Sequence, residues 1–233
     1  MAIVIPGVSQ LQRWLSVLPV VGSRVATPDL LMNPESSGAF AESFRLLALN
    51  ISVALAERPS KGVVVMSAYP RDGRSLITAN LASALAERGE TMVHDGDNCA
   101  TMPIGRMLAR NGVNGASSKE GGNSIVLLPE YLRKIVRPAD RSQLWLTGAS
   151  NSHSPDTERL GEIIRSASGA GIITVVDSPP ASLSSAAFSL AQEAGQVVYV
   201  VRRVVQDMEV HRQAREQLRR LDVDIIGLVM NEA

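Results

Sequence analysis

The chain has 233 residues, of which 45% are hydrophobic and 20% charged, so it is long enough to bury one substantial core. Its net charge is +0 and only 3% of its residues are aromatic, so neither a basic surface nor stacking platforms indicate a nucleic-acid partner. The one cysteine, Cys99, excludes an internal disulfide framework and a cysteine-rich metal site, and it favours a reducing, cytoplasmic compartment.

Residues 1–38 are predicted to form an N-terminal apolar arm, followed by one domain at 39–233. Pro6, Arg13 and Pro19 interrupt the apolar stretch at the start, so no membrane-spanning helix is expected there. We interpret the stretch as an arm that packs on this domain or on a partner. The alternative is a disordered leader, because chain termini are commonly poorly ordered.

From residue 39 onward, amphipathic helical patterns alternate with short apolar runs. Helices are predicted at 39–57, 75–88, 101–110, 156–168, 185–193 and 207–220; strands at 63–66, 91–94, 125–128, 144–147, 172–176, 197–201 and 225–230; and a surface loop at 111–123. The strands are continuously apolar, which is typical of a parallel sheet buried on both faces. The pattern predicts a three-layer α/β fold with a mostly parallel, twisted sheet of about seven to eight strands and helices on both faces.

The segment 67–75 (SAYPRDGRS) joins a predicted strand to a predicted helix, the context in which backbone N–H groups converge on a phosphate. Such a loop usually ends in Gly-Lys-Ser/Thr, where Lys reaches the β/γ-phosphates and the hydroxyl holds Mg²⁺. Gly73 and Ser75 fit that pattern, and Arg74 stands at the Lys position. The predicted phosphate-binding residues are Pro70, Arg71, Asp72, Gly73, Arg74, Ser75 and Leu76.

Acidic residues follow two of the predicted strands, at the sheet edge where ligands gather in parallel sheets. Asp95 and Asp97 follow one strand and Asp177 follows another. Together with Ser75, Asp95 and Asp177 are predicted to surround Mg²⁺. The structural alternative is that these aspartates only form turns at the strand ends. Asn231 ends the last strand, where its side-chain amide is predicted to read an adenine edge.

Several segments, in this order, resemble the cytoplasmic bacterial tyrosine kinases of polysaccharide export, within the ParA- and MinD-like P-loop ATPases. The resemblance covers about residues 40–231. The matching segments are 41–50 (AESFRLLALN), the phosphate loop, 78–82 (TANLA), 95–97 (DGD), 155–160 (PDTERL), 177–180 (DSPP), 200–202 (VVR) and 227–231 (GLVMN).

The resemblance implies a P-loop fold that binds ATP or ADP with Mg²⁺ and uses Asp95 and Asp97 as catalytic carboxylates. It also implies a partner, the cytoplasmic tail of an inner-membrane polysaccharide co-polymerase that sets chain length. The protein is then expected to be cytoplasmic and peripherally associated with the inner membrane through that partner.

The sequence departs from the family within the phosphate loop. Arg71 stands where the family has Gly, and its side chain is expected to crowd a loop that needs close backbone approach. Arg74 keeps the positive charge of the family's Lys but presents a planar fork in place of a compact ammonium. Phosphate binding is compatible with this exchange, but the geometry for phosphoryl transfer is expected to change.

Other departures lie outside the loop. The family's opening helix carries Glu-x-x-Arg-x-x-Arg for ring assembly, whereas this chain has Glu42, Arg45 and Ala48, which favours a dimer over a ring. Cys99 and Ala100 replace arginines after the second acidic motif, and the family's C-terminal tyrosine cluster does not follow the last strand. These departures favour a pseudokinase, a degenerate member with weak or lost autokinase activity.

Two rival interpretations remain open. In one, the protein is an active tyrosine autokinase or ATPase in which Arg74 replaces Lys functionally. In the other, it is a ParA/MinD-type positioning ATPase, although Tyr69 occupies the place of that group's signature Lys.

Overall fold

The computed structural model describes residues 2–4, 37–97, 104–109, 137–138, 143–148, 157–203 and 208–231. The predicted strand at 125–128, the predicted loop at 111–123 and Cys99 lie outside the described residues. The division into an arm at 1–38 and a domain at 39–233 stays a prediction.

Strands and helices alternate along most of the described chain. The strands are β1 (Ala2–Val4), β2 (Gly62–Ser67), β3 (Thr91–Asp95), β4 (Arg137–Pro138), β5 (Leu144–Gly148), β6 (Ile173–Asp177), β7 (Gln196–Arg202) and β8 (Asp224–Asn231). The helices are α1 (Ala39–Ala56), α2 (Arg74–Ala86), α3 (Ile104–Ala109), α4 (Thr157–Gly169), α5 (Ala186–Ala194) and α6 (Met208–Arg220).

All eight strands belong to one sheet, in the order β1-β8-β7-β2-β6-β3-β5-β4. The six strands from β8 to β5 run parallel, and β1 and β4 pair antiparallel at the two ends. This arrangement confirms the predicted α/β class. The two short antiparallel strands were not among the predicted elements.

The sheet is covered on both faces, which gives the three predicted layers. One core cluster joins α1, α2 and α3 to strand residues such as Val65 and Val175. The other joins α4, α5 and α6 to the residues next along the strands, such as Val64 and Val176. Because successive strand residues face opposite sides, runs such as 62–67 are apolar throughout and fully buried.

Helix α1 is long and apolar enough to cross a membrane by length and composition alone. Its buried side chains, including Phe44, Leu47 and Ile51, belong to the core cluster beneath the sheet. A core helix of a globular protein passes the same test, and the buried face of α1 is that of a core helix.

The topology places a crevice at the carboxyl ends of the central strands. Along the chain, β3, β5 and β6 are added on one side of β2, and β7 and β8 on the other. In open α/β sheets, ligands bind where the strand order reverses in this way. Every acidic residue predicted for the site lies at that edge.

Candidate nucleotide site

The phosphate loop, residues 68–73, connects β2 to α2 at the carboxyl edge. Gly73 is the N-cap of α2 and has a φ of 90°, a left-handed conformation that favours glycine. A Cβ at Gly73 would also collide with the amide of Asn231. No side chain caps this end of α2, so its first N–H groups have the arrangement that binds phosphate in P-loops.

Arg71 does not crowd the loop in the way expected from the sequence. Its side chain is exposed, as is that of Pro70, so neither lies inside the site. The strain lies in the backbone instead, because Arg71 has a φ of 65° in the left-handed region. That conformation is about 1 kcal/mol less favourable for a residue with a Cβ.

Arg74 is the cation inside the site, and its side chain is only 6% exposed. Nη1 donates to Ser67 Oγ at 2.8 Å and to the Tyr69 carbonyl at 2.9 Å. Nε donates to the Ser178 carbonyl at 2.8 Å, and Nη2 donates to Asp97 Oδ2 at 3.1 Å. The guanidinium therefore joins the phosphate loop to the tips of β6 and β3.

Asn231 lies against the phosphate loop. Its Nδ2 donates to the Asp72 carbonyl at 2.9 Å, and Asp72 Oδ2 in turn accepts the Tyr69 N–H at 3.2 Å. Asp72 is fully buried and Asn231 is 9% exposed. The loop is thus fixed from within and from β8, and adenine recognition by Asn231 stays a prediction.

Asp95 and Asp177 stand opposite each other in the register of β3 and β6. Both are buried, and Asp95 Oδ1 and Asp177 Oδ2 accept no hydrogen bond. Burial raises the pKa of Asp95 to about 6, an effect opposed by the backbone N–H groups of Asp97 and Ile104. Burial raises the pKa of Asp177 to about 7, against the Ser75 hydroxyl and the Arg74 charge.

The structure separates the roles of the two aspartates predicted to be catalytic. Asp97 is 6% exposed and forms the ion pair with Arg74, whereas Asp95 keeps an unpaired carboxylate oxygen beside Asp177. Ser75 and Leu76 are half-buried in the first turn of α2. The structure places Ser75, Asp95 and Asp177 close together, and their role as Mg²⁺ ligands stays a prediction.

Sequence reasoning missed three polar residues that complete the site. Thr78 Oγ1, one turn after Arg74 on α2, lies 2.9 Å from the Arg74 carbonyl and 3.3 Å from Asp177 Oδ1. Ser67 and Ser178 are fully buried at the ends of β2 and β6. Helical spacing from Ser75 could have indicated Thr78, but no pattern indicates a backbone carbonyl such as that of Ser178.

An aromatic group connects the loop to α6. The ring of Tyr69 packs edge-on against His211 at 5.5 Å between centroids. His211 Nδ1 lies 3.1 Å from the hydroxyl of Tyr199 on β7. The phosphate loop is therefore packed against a helix whose outer side carries Arg212, Arg215 and Arg219.

The residues present fit a Mg²⁺-nucleotide complex. Two buried carboxylate oxygens without hydrogen-bond partners and a nearby hydroxyl are the oxygen donors that Mg²⁺ prefers, mostly through retained waters. No group of three or more His, Cys, Asp or Glu side chains suited to a metal occurs within the described residues. Mg²⁺ in proteins is usually bound by one or two carboxylates together with the phosphates of the ligand.

The comparisons with known proteins agree with this architecture. A scan against protein-family models gives no match. The chain is 25% identical to a tyrosine-protein kinase, YwqD of Bacillus subtilis (strain 168), over 216 residues, which cover 90% of this chain and 88% of that protein. The sequence resemblance to a bacterial tyrosine kinase is therefore confirmed.

Solved structures show the fold. The kinase domain of the Escherichia coli tyrosine kinase ETK has a TM-score of 0.66 at 18% identity, covering 98% of this chain and 88% of that one. The chimerical protein CapA2B2 has a TM-score of 0.63 at 22% identity, with 97% and 96% coverage. MinD of Pyrococcus horikoshii OT3, complexed with Mg-ADP, has a TM-score of 0.55 at 20% identity, with 72% and 69% coverage. The chain has a bacterial-tyrosine-kinase-like P-loop fold of the ParA/MinD type.

Proposed function

We propose that this protein is a cytoplasmic, kinase-like P-loop subunit that regulates envelope polysaccharide synthesis and export, with weak or lost phosphotransfer. Capsule, exopolysaccharide and a holdfast-type adhesin all fit as the polymer. The similarity to bacterial tyrosine kinases supports the general role.

The arrangement of Arg74 is the observation that carries the loss of phosphotransfer. In an active P-loop kinase or ATPase, a compact Lys at this position reaches the phosphates. Here the guanidinium donates to Ser67, Tyr69, Ser178 and Asp97. The group that would stabilise a transferring phosphoryl is thus bonded to the protein itself.

Nucleotide binding is retained in this proposal. The first N–H groups of α2 and the loop would hold phosphate oxygens, and Ser75, Asp95 and Asp177 would hold Mg²⁺. Mg²⁺ supplies charge neutralisation for the phosphates when bound. Gly73 permits the close approach of the backbone that such binding requires.

The proposed partner is the cytoplasmic tail of an inner-membrane polysaccharide co-polymerase of the chain-length type. Binding to that tail would hold the protein at the membrane surface without a span of its own. The protein is then a nucleotide-dependent regulator whose output is a contact with the co-polymerase and not a phosphorylated product.

Two assays test the proposal. Purified protein with ATP and Mg²⁺ should release phosphate at the level of a protein-free blank, and deletion of the gene should reduce or alter the surface polymer. A strain carrying Arg58→Ala, a substitution at the opposite edge of the sheet, is the matched control and should keep wild-type polymer. Unchanged polymer in the deletion strain contradicts the proposal.

A second candidate is an active autokinase or ATPase, favoured by the two unpaired carboxylate oxygens of Asp95 and Asp177. It predicts Mg²⁺-dependent phosphate release or autophosphorylation that Asp95→Asn abolishes. Turnover above the blank that both Arg74→Ala and Asp95→Asn abolish would favour this candidate.

A further inference from the structure

We propose that Arg74 occupies the place of the terminal phosphate, so that the site accepts a nucleoside diphosphate and rejects the triphosphate. This inference rests on the proposed function and concerns the ligand that the same site selects.

The guanidinium lies between two sets of groups and bonds to both, in the place where a terminal phosphate would lie. On one side it contacts Ser67 Oγ and the Tyr69 carbonyl, at the start of the phosphate loop. On the other side it contacts Asp97 and the Ser178 carbonyl, at the tips of β3 and β6. In P-loop sites, the loop cation and the Mg²⁺-binding acidic residue both serve the β- and γ-phosphates.

The partners of Arg74 are all acceptors, and this makes the side chain hard to displace. Carbonyl and carboxylate oxygens cannot donate to a phosphate oxygen, and the Ser67 hydroxyl already donates to the Tyr69 carbonyl at 2.9 Å, so a γ-phosphate would gain little from these groups. If Arg74 turned away, the Ser178 carbonyl and Ser67 hydroxyl would lose a bonding partner in a buried position. Arg74 is therefore held more firmly than a Lys with three donors would be.

Asp97 acts as a positioning residue in this arrangement. Its Oδ2 lies 3.1 Å from Arg74 Nη2, and both side chains are at least nine-tenths buried. A guanidinium held at four acceptors also keeps its charge in the site, where it favours the phosphates that remain. The first turn of α2 would bind those phosphates through backbone N–H groups.

Calorimetry with ADP–Mg²⁺ and ATP–Mg²⁺ tests the inference on the full chain. The wild-type protein should bind ADP about tenfold or more tightly than ATP, since admitting the third phosphate breaks a buried ion pair. Arg74→Ala and Arg74→Lys should reduce or reverse this preference for ADP over ATP. Asp97→Asn should reduce the preference as well, because Asn has nearly the size of Asp but lacks the negative charge that holds the guanidinium.

Arg58→Ala is the matched control, since it removes an arginine from an ion pair with Asp224 at the far end of the sheet. The ratio of its affinity for ADP to its affinity for ATP should equal that of the wild type. Equal or tighter ATP binding by the wild type overturns the inference, as does a ratio that Arg74→Ala and Arg74→Lys leave unchanged. Either result leaves nucleotide binding itself intact.

A second measurement needs no nucleotide. Arg74→Ala should melt at a lower temperature than wild type, and ~20 mM guanidinium, far below denaturing concentrations, should raise its melting temperature but not that of Arg58→Ala. Guanidinium should also weaken ATP binding to Arg74→Ala while sparing ADP binding. Failure of both effects in a folded variant contradicts the inference, whereas absence of any nucleotide binding in all variants removes the nucleotide part of the proposed function too.

Discussion

Asp177 is a fully buried carboxyl whose pKa is raised to about 7 by burial. In an unfolded chain, the pKa of an aspartate is about 3.9. Between these values the folded protein holds a proton that the unfolded chain releases, so the free energy of unfolding falls as pH rises through this range. Asp95, with a pKa of about 6, acts in the same direction.

Asp177→Asn is therefore expected to stabilise the protein at pH 8 and to have little effect near pH 4. The gain at pH 8 should be on the order of 2–4 kcal/mol, and Asn keeps an oxygen that can accept the Thr78 hydroxyl. Urea unfolding at the two pH values measures it. Asp224→Asn, at the opposite edge of the sheet, is the control and should show no such gain; equal effects of Asp177→Asn at both pH values contradict the prediction.

Arg71→Gly is expected to stabilise the protein, because Arg71 holds a left-handed backbone conformation. Relief of that conformation contributes about 1 kcal/mol, partly offset by the greater freedom of glycine in the unfolded chain. Chemical denaturation measures the difference. Asp222→Gly, at the other described residue of this kind, should behave alike, and Arg88→Gly, at an exposed residue outside that region, should lose stability.

At the residue scale, the sequence predicted which acidic side chains lie at the strand tips, but not what Arg74 does. Asp95 and Asp177 follow apolar runs, so their place at one edge was predictable from the period of the pattern. The partners of Arg74 include the Ser178 carbonyl, 104 positions away along the chain. A backbone carbonyl has no sequence signature, so this contact required the structure.

Among the elements, the phosphate loop and β8 depend on each other through Gly73 and Asn231. Gly73→Ala is expected to destabilise by about 1–3 kcal/mol and to weaken nucleotide binding, because it strains the backbone and forces the Asn231 amide aside. A double-mutant cycle with Asn231→Ala separates the two causes by urea unfolding. In the double variant, the part of the lost stability that is due to the collision should be recovered, and the part due to backbone strain should remain. Fully additive losses of stability would contradict the coupling between Gly73 and Asn231.

Helix α6 is attached to the loop through His211. Tyr199→Phe removes the hydroxyl 3.1 Å from His211 Nδ1 and should cost about 1 kcal/mol by chemical denaturation. Because the ring of Tyr69 packs on His211, hydrogen exchange of the Tyr69 amide should also become faster. Ser43→Ala, which removes a hydroxyl on α1, is the control and is expected to leave that amide unchanged.

At the same scale, helix and strand identities were predictable where the pattern was long, and their bounds agree within a few residues. Strands β1 and β4 were missed because two or three residues carry no measurable alternation. Their pairing is set by the neighbouring strands β8 and β5 and not by local sequence.

For the whole molecule, assembly is expected to stop short of a ring. Ala48 stands where the family's ring motif has its second Arg, and it is fully buried in the core. Arg45 is hydrogen-bonded to Glu87 on the end of α2, with 2.9 Å between Nε and Oε2. The helix face that the resemblance links to ring assembly would therefore have Arg45 already engaged by a contact within this chain.

Ala48→Arg is accordingly expected to destabilise by about 3 kcal/mol or more, since it buries an unpaired charge, and not to create rings. Thermal unfolding and light scattering measure the two effects. Ala56→Arg, at an exposed position of the same helix, is the control and should remain folded with unchanged mass. A stable ring-sized species of Ala48→Arg would contradict the prediction.

The antiparallel strands at the two ends of the sheet have a consequence for solubility. An open edge of a parallel sheet offers a row of unpaired backbone groups to any other chain, which is how intermolecular strand addition and aggregation begin. Here β1 covers part of one edge with three residues, and β4 ends the other with two, of which Pro138 has no N–H to offer. Within the described residues, the outermost strand at each end of the sheet is therefore short, and the strand that contains Pro138 has one N–H fewer to offer to another chain.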